Sequence, residues 1–275
     1  MRRLIINADD LGSGIERDRG IFHSFSCGIV TSASLLANGP SFASAARQAL
    51  DLGLPLGIHL NLSEGRPLTA PIPSLTTVAG EFPGKEGLRR ILSEGQIDPD
   101  PLHRELSAQI ERVIAAGLAP DHLDGHQHCL LFPALCTMVL DLAREYAIGA
   151  MRLPSPAEPA ADDPDGPLGE ELALYRRLAP HFSARVREAG IATPDGLFGM
   201  PLLNRLNART LCQTLHRIPE GTWELMVHPG YPDDAPFSGA ERKAELAALS
   251  SPTVAEELRR CGITPITFRD LSCAS

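Results

Sequence analysis

Histidine and aspartate residues that can bind a metal ion are concentrated in a few short segments of this sequence. The densest segment is His122-Leu123-Asp124-Gly125-His126-Gln127-His128, in which every second residue is titratable. If the segment is extended, these four side chains lie on one face. Without a cation such groups would repel or desolvate one another, so the pattern favours a metal site in which some members hold the ligands.

Two further segments place polar residues at the ends of apolar runs. Asp9 and Asp10 follow the run 3–8, and side-chain alternation aims their carboxylates in different directions, so that one can bind a metal while the other handles a proton. Helix capping is the simpler explanation for an aspartate pair considered alone. Alternation also places His59 and Asn61 on the polar face of a strand, where a hydrogen-bonding role is an equal alternative for His59.

Three residues near later strands complete the candidate site. His228 ends an apolar run and precedes a Pro-Gly turn, which is a position that suits a general acid. Arg152 is expected to keep a carboxylate ionised or to bind substrate, with a surface ion pair of little energetic value as the alternative. Tyr231, in the loop after His228, is one of the few aromatic residues of the chain and a candidate substrate contact.

These segments belong to an alternation of β-rich runs and helical patterns, which is typical of parallel strands joined by crossover helices. The predicted strands are 3–8, 30–37, 56–62, 121–124, 150–153, 196–198, 223–227 and 263–268. The predicted helices are 14–27, 41–52, 100–116, 133–146, 172–189, 208–215 and 239–249. Eight strands and about as many helices predict an α/β fold, a distorted or incomplete (β/α) TIM-like barrel, with an open doubly wound sheet as the alternative.

The length of the chain fits one such barrel, so we predict a single domain over residues 1–275. Segments 63–96 and 155–169 are rich in proline and interrupt the alternation, and both are predicted to be loop insertions. Loops at these positions either shape a substrate cleft or lie on the surface as simple solvated connections.

Composition excludes several classes of partner. The net charge is −9 and no run of Lys or Arg exceeds a pair, which argues against a nucleic-acid partner. No apolar stretch approaches the roughly 20 residues of a membrane-spanning helix, and no signal peptide is expected. Six scattered cysteines indicate reduced thiols and a cytoplasmic location. Cys129 is predicted to be a buried apolar residue, with metal ligation as the alternative. The sequence is also compatible with a homo-oligomer.

Four segments, in their order and spacing, resemble the YdjC-like carbohydrate deacetylases: Asn7-Ala8-Asp9-Asp10-Leu11-Gly12, Gly57-Ile58-His59-Leu60-Asn61-Leu62, the segment from His122 to His128, and Val227-His228-Pro229. The likeness extends from Arg3 to Leu271. That family includes enzymes of chitooligosaccharide and diacetylchitobiose breakdown and relatives encoded with hopanoid synthesis.

The resemblance implies a distorted (β/α) barrel and one divalent metal bound by Asp10, His59 and His126, with Asp9 at the position of the general base. His128 and Asp124 are then expected to contact substrate or to hold the ligands. The chain departs from the family pattern at Cys129 and at Leu130, where relatives often carry another histidine, and this departure leaves the substrate range open.

The expected reaction is hydrolysis of the N-acetyl group of an amino sugar or chitooligosaccharide-like glycan, which releases acetate. The metal polarises the amide carbonyl and acidifies a water molecule, Asp9 accepts a proton, and His228 protonates the departing nitrogen. Imidazole ligands suit zinc, whereas the resemblance indicates magnesium in some members, so both metals are retained. The alternatives are a metal-dependent phosphoesterase and a non-catalytic, metal-containing sugar-binding protein.

Overall fold

The computed structural model describes residues 1–95, 97–158 and 167–271. Within these ranges the strands form one parallel sheet. They are β1 (Arg2–Leu11), β2 (Ser32–Leu35), β3 (Leu56–Leu60), β4 (Leu123–Gly125), β5 (Leu197–Phe198), β6 (Gly221–Val227) and β7 (Ile263–Ile266). Parallel pairing throughout brings the carboxyl ends of the strands to the same edge, where α/β folds build their sites.

The crossover connections between these strands are helical. The described residues form α1 (Ile15–Cys27), α2 (Phe42–Leu52), α3 (Gly84–Glu94), α4 (Pro99–Ala115), α5 (Pro133–Glu145), α6 (Pro167–Glu188), α7 (Ala208–Arg217), α8 (Ala240–Leu249) and α9 (Pro252–Arg260). Short 3₁₀ helices span His126–Leu131, Met200–Leu202 and Phe268–Asp270. In the part of the chain that the structure describes, no helix combines the length and the apolar character needed to cross a membrane.

Strand β1 is the centre of the sheet, and its fully buried Leu4, Ile5 and Ile6 explain its continuous apolar run. One edge of β1 pairs with β6, while the other edge is shared by β7 along its first half and β2 along its second half. The order β4-β3-β2-β1-β6-β5 then curls toward closure. Single parallel bridges, Leu123 with Met151 and Pro156 with Leu197, connect the outer strands.

The predicted distorted (β/α) barrel is therefore confirmed, but one of its eight predicted strands is wrong. Residues 150–153 form only isolated bridges at Ala150 and Met151. Pro154 follows at once and has no N–H to extend a ladder. The segment 122–128 is not extended as far as His128, because β4 ends at Gly125 and a 3₁₀ helix begins at His126.

Two helices were missing from the sequence prediction. Helix α3 lies inside the segment 63–96 that was predicted as a loop insertion, where frequent Gly and Pro residues obscure its pattern. Helix α9 starts at Pro252, only two residues after α8, and proline at a first helical position is a start signal. Of the second predicted insertion, 155–169, residues 159–166 lie outside the described residues, as do Gln96 and Cys273.

Candidate active site

Three buried side chains converge at the carboxyl edge of the sheet. Asp10 comes from the end of β1, His59 from β3 and His126 from the residue after β4. The Oδ1 atom of Asp10 lies 3.5 Å from Nε2 of His59 and 3.0 Å from Nδ1 of His126. The two imidazole rings meet edge to face with centroids 5.1 Å apart. Each residue thus directs one donor atom toward a common point.

This donor group fits a divalent ion. Two ligands bound at about 2.1 Å lie about 3.0 Å apart in octahedral geometry and about 3.4 Å apart in tetrahedral geometry. The observed separations of 3.0 and 3.5 Å fall at these values. Within the described residues, the buried Oδ1 of Asp10 makes no hydrogen bond. One carboxylate and two imidazoles form a donor set that zinc and similar ions accept.

A β-bulge places both aspartates in the cavity. The register between β1 and β2 shifts between Ala8 and Leu11, and Asp10 adopts a φ of 69°. Both Asp9 and Asp10 consequently line the cavity, so the prediction that regular alternation separates them is wrong. The N-cap of helix α1 is Gly14, and no side chain caps the helix. Helix capping, the alternative explanation for the aspartate pair, therefore does not apply to α1.

The guanidinium of Arg152 holds the carboxylate of Asp9. Its Nη1 and Nη2 atoms donate to the two oxygens of Asp9 at 2.7 and 2.6 Å, and the amide of Asn7 donates to the same carboxylate at 2.9 Å. Burial alone would raise the pKa of Asp9, but the charge and hydrogen bonds of Arg152 lower it below its ordinary value. Asp9 is therefore ionised at neutral pH.

Arg152 itself is 2% exposed and contacts three carboxylates. Besides Asp9, it lies 2.7 Å from Asp124 and donates to Glu224 at 2.6 and 2.8 Å. Sequence reasoning missed Glu224, although a charged residue inside the apolar run of β6 was a usable signal. The buried position excludes the surface ion pair that was the alternative for Arg152.

Asp124 orients the first of the two histidines. Its Oδ1 lies 2.8 Å from Nδ1 of His59, and its Oδ2 accepts a hydrogen bond of 2.8 Å from Ser34. A carboxylate on Nδ1 fixes the ring and directs the free Nε2 toward Asp10. Asp124 thus fixes the orientation of the His59 ring.

The histidine-rich segment divides at the end of β4. His126 and His128 line the cavity, and a left-handed backbone at Gln127 and His128 (φ 54° and 57°) produces the turn. His122 instead stacks on Phe268 at 3.6 Å, away from the cavity. The expectation that all four titratable side chains share one face is wrong, since the strand stops before the last two.

His228 lies at the end of β6, with Nε2 4.0 Å from Oδ2 of Asp9. Its backbone N–H donates to Glu245 at 2.7 Å, and its carbonyl accepts from Arg242 at 3.2 Å, so helix α8 holds it at both ends. Burial lowers the pKa of His228 to about 3 even though the charges of Asp10 and Asp9 oppose this. The imidazole is therefore neutral at pH 7.

His59 and His126, the two histidines that converge with Asp10, behave in the opposite way. Burial disfavours their charged forms, but Asp124 and Asp10 outweigh this and raise the pKa of His59 to about 10. Asp10 likewise raises the pKa of His126 to about 9, also against burial. An arriving cation must displace these protons, because only neutral imidazole binds a metal.

A cavity of about 500 Å³ opens above these residues. Arg17, which sequence reasoning missed, lies at its wall and donates to Oδ2 of Asp10 at 3.0 Å, leaving Oδ1 free for an ion. Its position could have been found from helical spacing: Arg17 precedes the buried Ile21 by four residues and the buried Ser24 by seven, so all three lie on one face of α1. The other lining residues include Asp9, His59, His126, His128, His228, Glu64, Lys85, Glu171, Asn204 and Phe237.

Three further residues singled out from the sequence also lie outside the lining of this cavity, as Asp124, Arg152 and His122 do. Asn61 holds the loop after β3, since its amide group donates to Asn38 and to the Glu64 carbonyl. The hydroxyl of Tyr231 lies 3.1 Å from His23, because the turn after His228 carries the chain back over α1. Cys129 is buried with its thiol toward the Leu60 carbonyl, and burial raises its pKa to about 12, as expected of a structural cysteine.

The profile of the family described as YdjC-like protein matches residues 3–260. The chain belongs to the YdjC-like family. The family predicted from the four sequence segments is thereby confirmed, and the match covers every strand of the barrel except β7.

Relatives of known name align over nearly the whole chain. The carbohydrate deacetylase of Geobacillus stearothermophilus is 35% identical over 275 residues, which cover 98% of each protein. The human carbohydrate deacetylase is 33% identical over 294 residues, which cover 98% of this chain and 91% of that protein. A crystal structure of a candidate cellobiose-phosphate cleavage protein from Enterococcus faecalis superposes with a TM-score of 0.75 at 25% identity, covering 98% of both chains.

Proposed function

We propose that this YdjC-like protein is a divalent-metal-dependent carbohydrate deacetylase that hydrolyses the N-acetyl group of an amino sugar or chitooligosaccharide-like glycan and releases acetate. One feature supports this above all: the buried group of Asp10, His59 and His126 lies beside the ionised Asp9 in a cavity open to a ligand. The names of its relatives, both carbohydrate deacetylases, support the same reaction.

The three donors Asp10, His59 and His126 would hold one divalent ion, which would polarise the amide carbonyl and acidify a water molecule. Two neighbouring residues keep these donors in place. Arg17 binds the second oxygen of Asp10, and Asp124 fixes the ring of His59. Donor chemistry favours zinc, and magnesium remains the alternative that the family resemblance suggested.

Asp9 is suited to accept a proton from the attacking water. Arg152 uses two of the roughly four acceptor positions of its carboxylate and Asn7 uses a third, so one acceptor position remains for the water. The ionised state that Arg152 imposes keeps this position ready across the neutral pH range.

His228 is suited to protonate the departing amine nitrogen. Because its ring is neutral at pH 7, the proton that it delivers has to be acquired during the reaction. The proton accepted by Asp9 is the nearest source, since Nε2 of His228 lies 4.0 Å from Oδ2 of Asp9, and a water molecule that bridges the two can relay it.

The phosphoesterase alternative receives little support from the described residues. An overlapping set of potential donors, formed by Asp9, His59 and Asp124, shares His59 with the first group. Arg152 already neutralises both carboxylates of this overlapping set. The cavity cation Lys85 is paired with Glu171 at 2.6 Å. Neither a second ion nor an unpaired cation for a phosphate is therefore available among these groups.

Acetate release from defined sugars tests the proposal. Protein stripped with a chelator is reloaded with zinc, magnesium, cobalt or manganese and incubated with N-acetylglucosamine oligomers of increasing length. We expect acetate only from the reloaded protein, and none from His126→Ala. His181→Ala, which changes an exposed histidine of α6, is the matched control. Tight sugar binding without acetate release under any metal would instead indicate a sugar-binding protein.

Substrate contacts, location and assembly remain proposals. We place the sugar over Phe237, an aromatic residue at the cavity wall whose carbonyl is bound by Arg17. His128 is a second proposed substrate contact, since its ring lines the cavity and packs against Tyr175.

The cytoplasmic location and the homo-oligomer stay predictions from the sequence.

A further inference from the structure

A second group of metal-binding donor atoms lies between helices α7 and α9, outside the cavity. His216 is in the last turn of α7, Glu257 is in the last turns of α9, and Cys261 is the residue that caps α9. One nitrogen, one carboxylate oxygen and one sulfur atom from these residues all lie within 4.8 Å of one another. No residue of this group lines the cavity of the candidate active site.

Two separations between the donor atoms suit a single small cation, and a third contact is an existing ion pair. The Sγ atom of Cys261 lies 3.7 Å from Nδ1 of His216 and 3.8 Å from Oε1 of Glu257, while Nε2 of His216 lies 2.6 Å from the same Oε1. Zinc bonds of about 2.3 Å to sulfur and about 2.0 Å to nitrogen or oxygen place tetrahedral ligands about 3.5 Å apart. Because one imidazole nitrogen has to face both other donors, His216 must give up its contact with Glu257 and rotate its ring, which its 55% exposed side chain permits.

The surroundings combine attraction for a cation with two competitors for the carboxylate, the ion pair of His216 with Glu257 and the side chain of Arg260. Both helices direct their carboxyl ends, with partial negative charge, toward the group, which favours a bound cation. The side chain of Arg260 donates to Oε1 of Glu257 at 3.0 Å and would have to withdraw. That side chain is 68% exposed and can turn into solvent at little cost.

We propose that His216, Glu257 and Cys261 bind one divalent cation of the zinc class, with solvent as the remaining ligand, and that this ion joins α9 to α7. The Cys261 thiol releases its proton to solvent when the ion binds, as thiolate is the binding form. Through Gly262, helix α9 leads directly into β7, which pairs with β1. The ion would therefore anchor the last strand of the sheet, independently of the proposed deacetylase activity.

Cobalt(II) tests this site directly, because a thiolate ligand adds a sulfur-to-cobalt charge-transfer band in the near ultraviolet that the Asp10, His59 and His126 group cannot produce. We expect the full-length protein to show this band on titration with cobalt and to lose it in Cys261→Ser. The exposed thiol of Cys27 provides the matched control, and Cys27→Ser should retain the band. His216→Ala should weaken cobalt binding at this site by about tenfold or more.

Thermal unfolding supplies a second measurement that does not depend on spectroscopy. In a His59→Ala background, which removes the other donor group, zinc at about ten times its Kd should raise Tm by about 3 °C or more, and Cys261→Ser should abolish this shift. The proposal is overturned if no thiolate band appears, or if the band persists in Cys261→Ser and disappears in Cys212→Ser. An equal zinc-induced shift with and without Cys261 would also overturn it.

Discussion

Arg152 binds both carboxylate oxygens of Asp9, through Nη1 at 2.7 Å and Nη2 at 2.6 Å, although 143 residues separate the two in the sequence. Such a two-point contact sets the orientation of the carboxylate as well as its charge. Arg152 also contacts Asp124 and Glu224. One buried cation therefore organises the proposed catalytic carboxylate and the carboxylate that holds a histidine of the proposed metal site. Stability and activity should therefore both depend on Arg152.

Replacing this cation should destabilise the fold. Arg152→Met leaves three buried carboxylates without their counterion, and we expect the free energy of unfolding to fall by about 3–5 kcal/mol. Urea denaturation followed by circular dichroism measures the change. Arg144→Met is the control, since the exposed pair of Arg144 with Asp141 should contribute at most about 1 kcal/mol. A loss below about 1 kcal/mol in Arg152→Met would contradict the buried ion-pair cluster.

The division of roles between the adjacent aspartates predicts two different phenotypes. Asp9→Asn should lower kcat by about 10²–10⁴-fold while the bound metal content is unchanged, because the amide keeps its size and loses the proton-accepting charge. His126→Ala should lose the metal itself. Metal analysis of both purified variants, together with acetate release, separates these effects. Asp9→Asn protein that retains full turnover would refute the assignment of Asp9 as the base.

A general acid matters most when the leaving group is poor. His228→Ala should reduce hydrolysis of the sugar amide by about 10²–10⁴-fold and affect an acetate ester with a good leaving group much less. Comparison of kcat/KM for the two substrates provides the measurement. Equal losses on both substrates would show that His228 contributes through binding or packing instead.

Metal binding should release protons. In the ion-free protein the pKa values of His59 and His126 are raised to about 10 and about 9, so both rings carry a proton at pH 7. Displacement of up to two protons makes the metal affinity rise with pH, by up to about 100-fold per pH unit. Calorimetric titration in buffers of different ionisation enthalpy counts the released protons. Affinity that is flat between about pH 6 and 8 would contradict the expectation.

Glu158 should make stability depend on pH. Burial raises its pKa from 4.5 to about 7 although the Gly199 N–H and the charge of Arg176 oppose the shift. The folded protein binds this proton more tightly, so the contribution of Glu158 to stability is present below about pH 4.5 and is lost as pH rises through about 7.

Glu158→Gln cannot ionise and should therefore raise the free energy of unfolding at pH 8 by up to about 3 kcal/mol, with little change near pH 4.5. Urea unfolding at both pH values measures the difference. Glu94→Gln, at an exposed position, is the matched control and should show no such trend. A gain that is the same at both pH values would exclude ionisation as its cause.

Much of the site was readable from local sequence. The predicted strands 3–8, 56–62 and 223–227 placed Asp9, Asp10, His59 and His228 within or just after a strand, and parallel strands bring their carboxyl ends to one edge. This reasoning brought these residues to one site without knowledge of the strand order, whereas the assignment of Asp10, His59 and His126 as metal ligands came from the family resemblance. The same reasoning did not reveal α3, whose glycines and flanking prolines resemble a loop.

The sequence by itself determined which polar residues stand at strand ends, because the apolar pattern of each strand is local. Tertiary structure alone decided which of them meet. A bulge turns both Asp9 and Asp10 into the cavity, whereas stacking on Phe268 keeps His122 out of it. Arg17 and Glu224 became part of the site through packing of α1 and β6 against β1. Helical spacing and a charge within an apolar run mark these two residues as buried, but neither pattern identifies the distant side chain that each contacts.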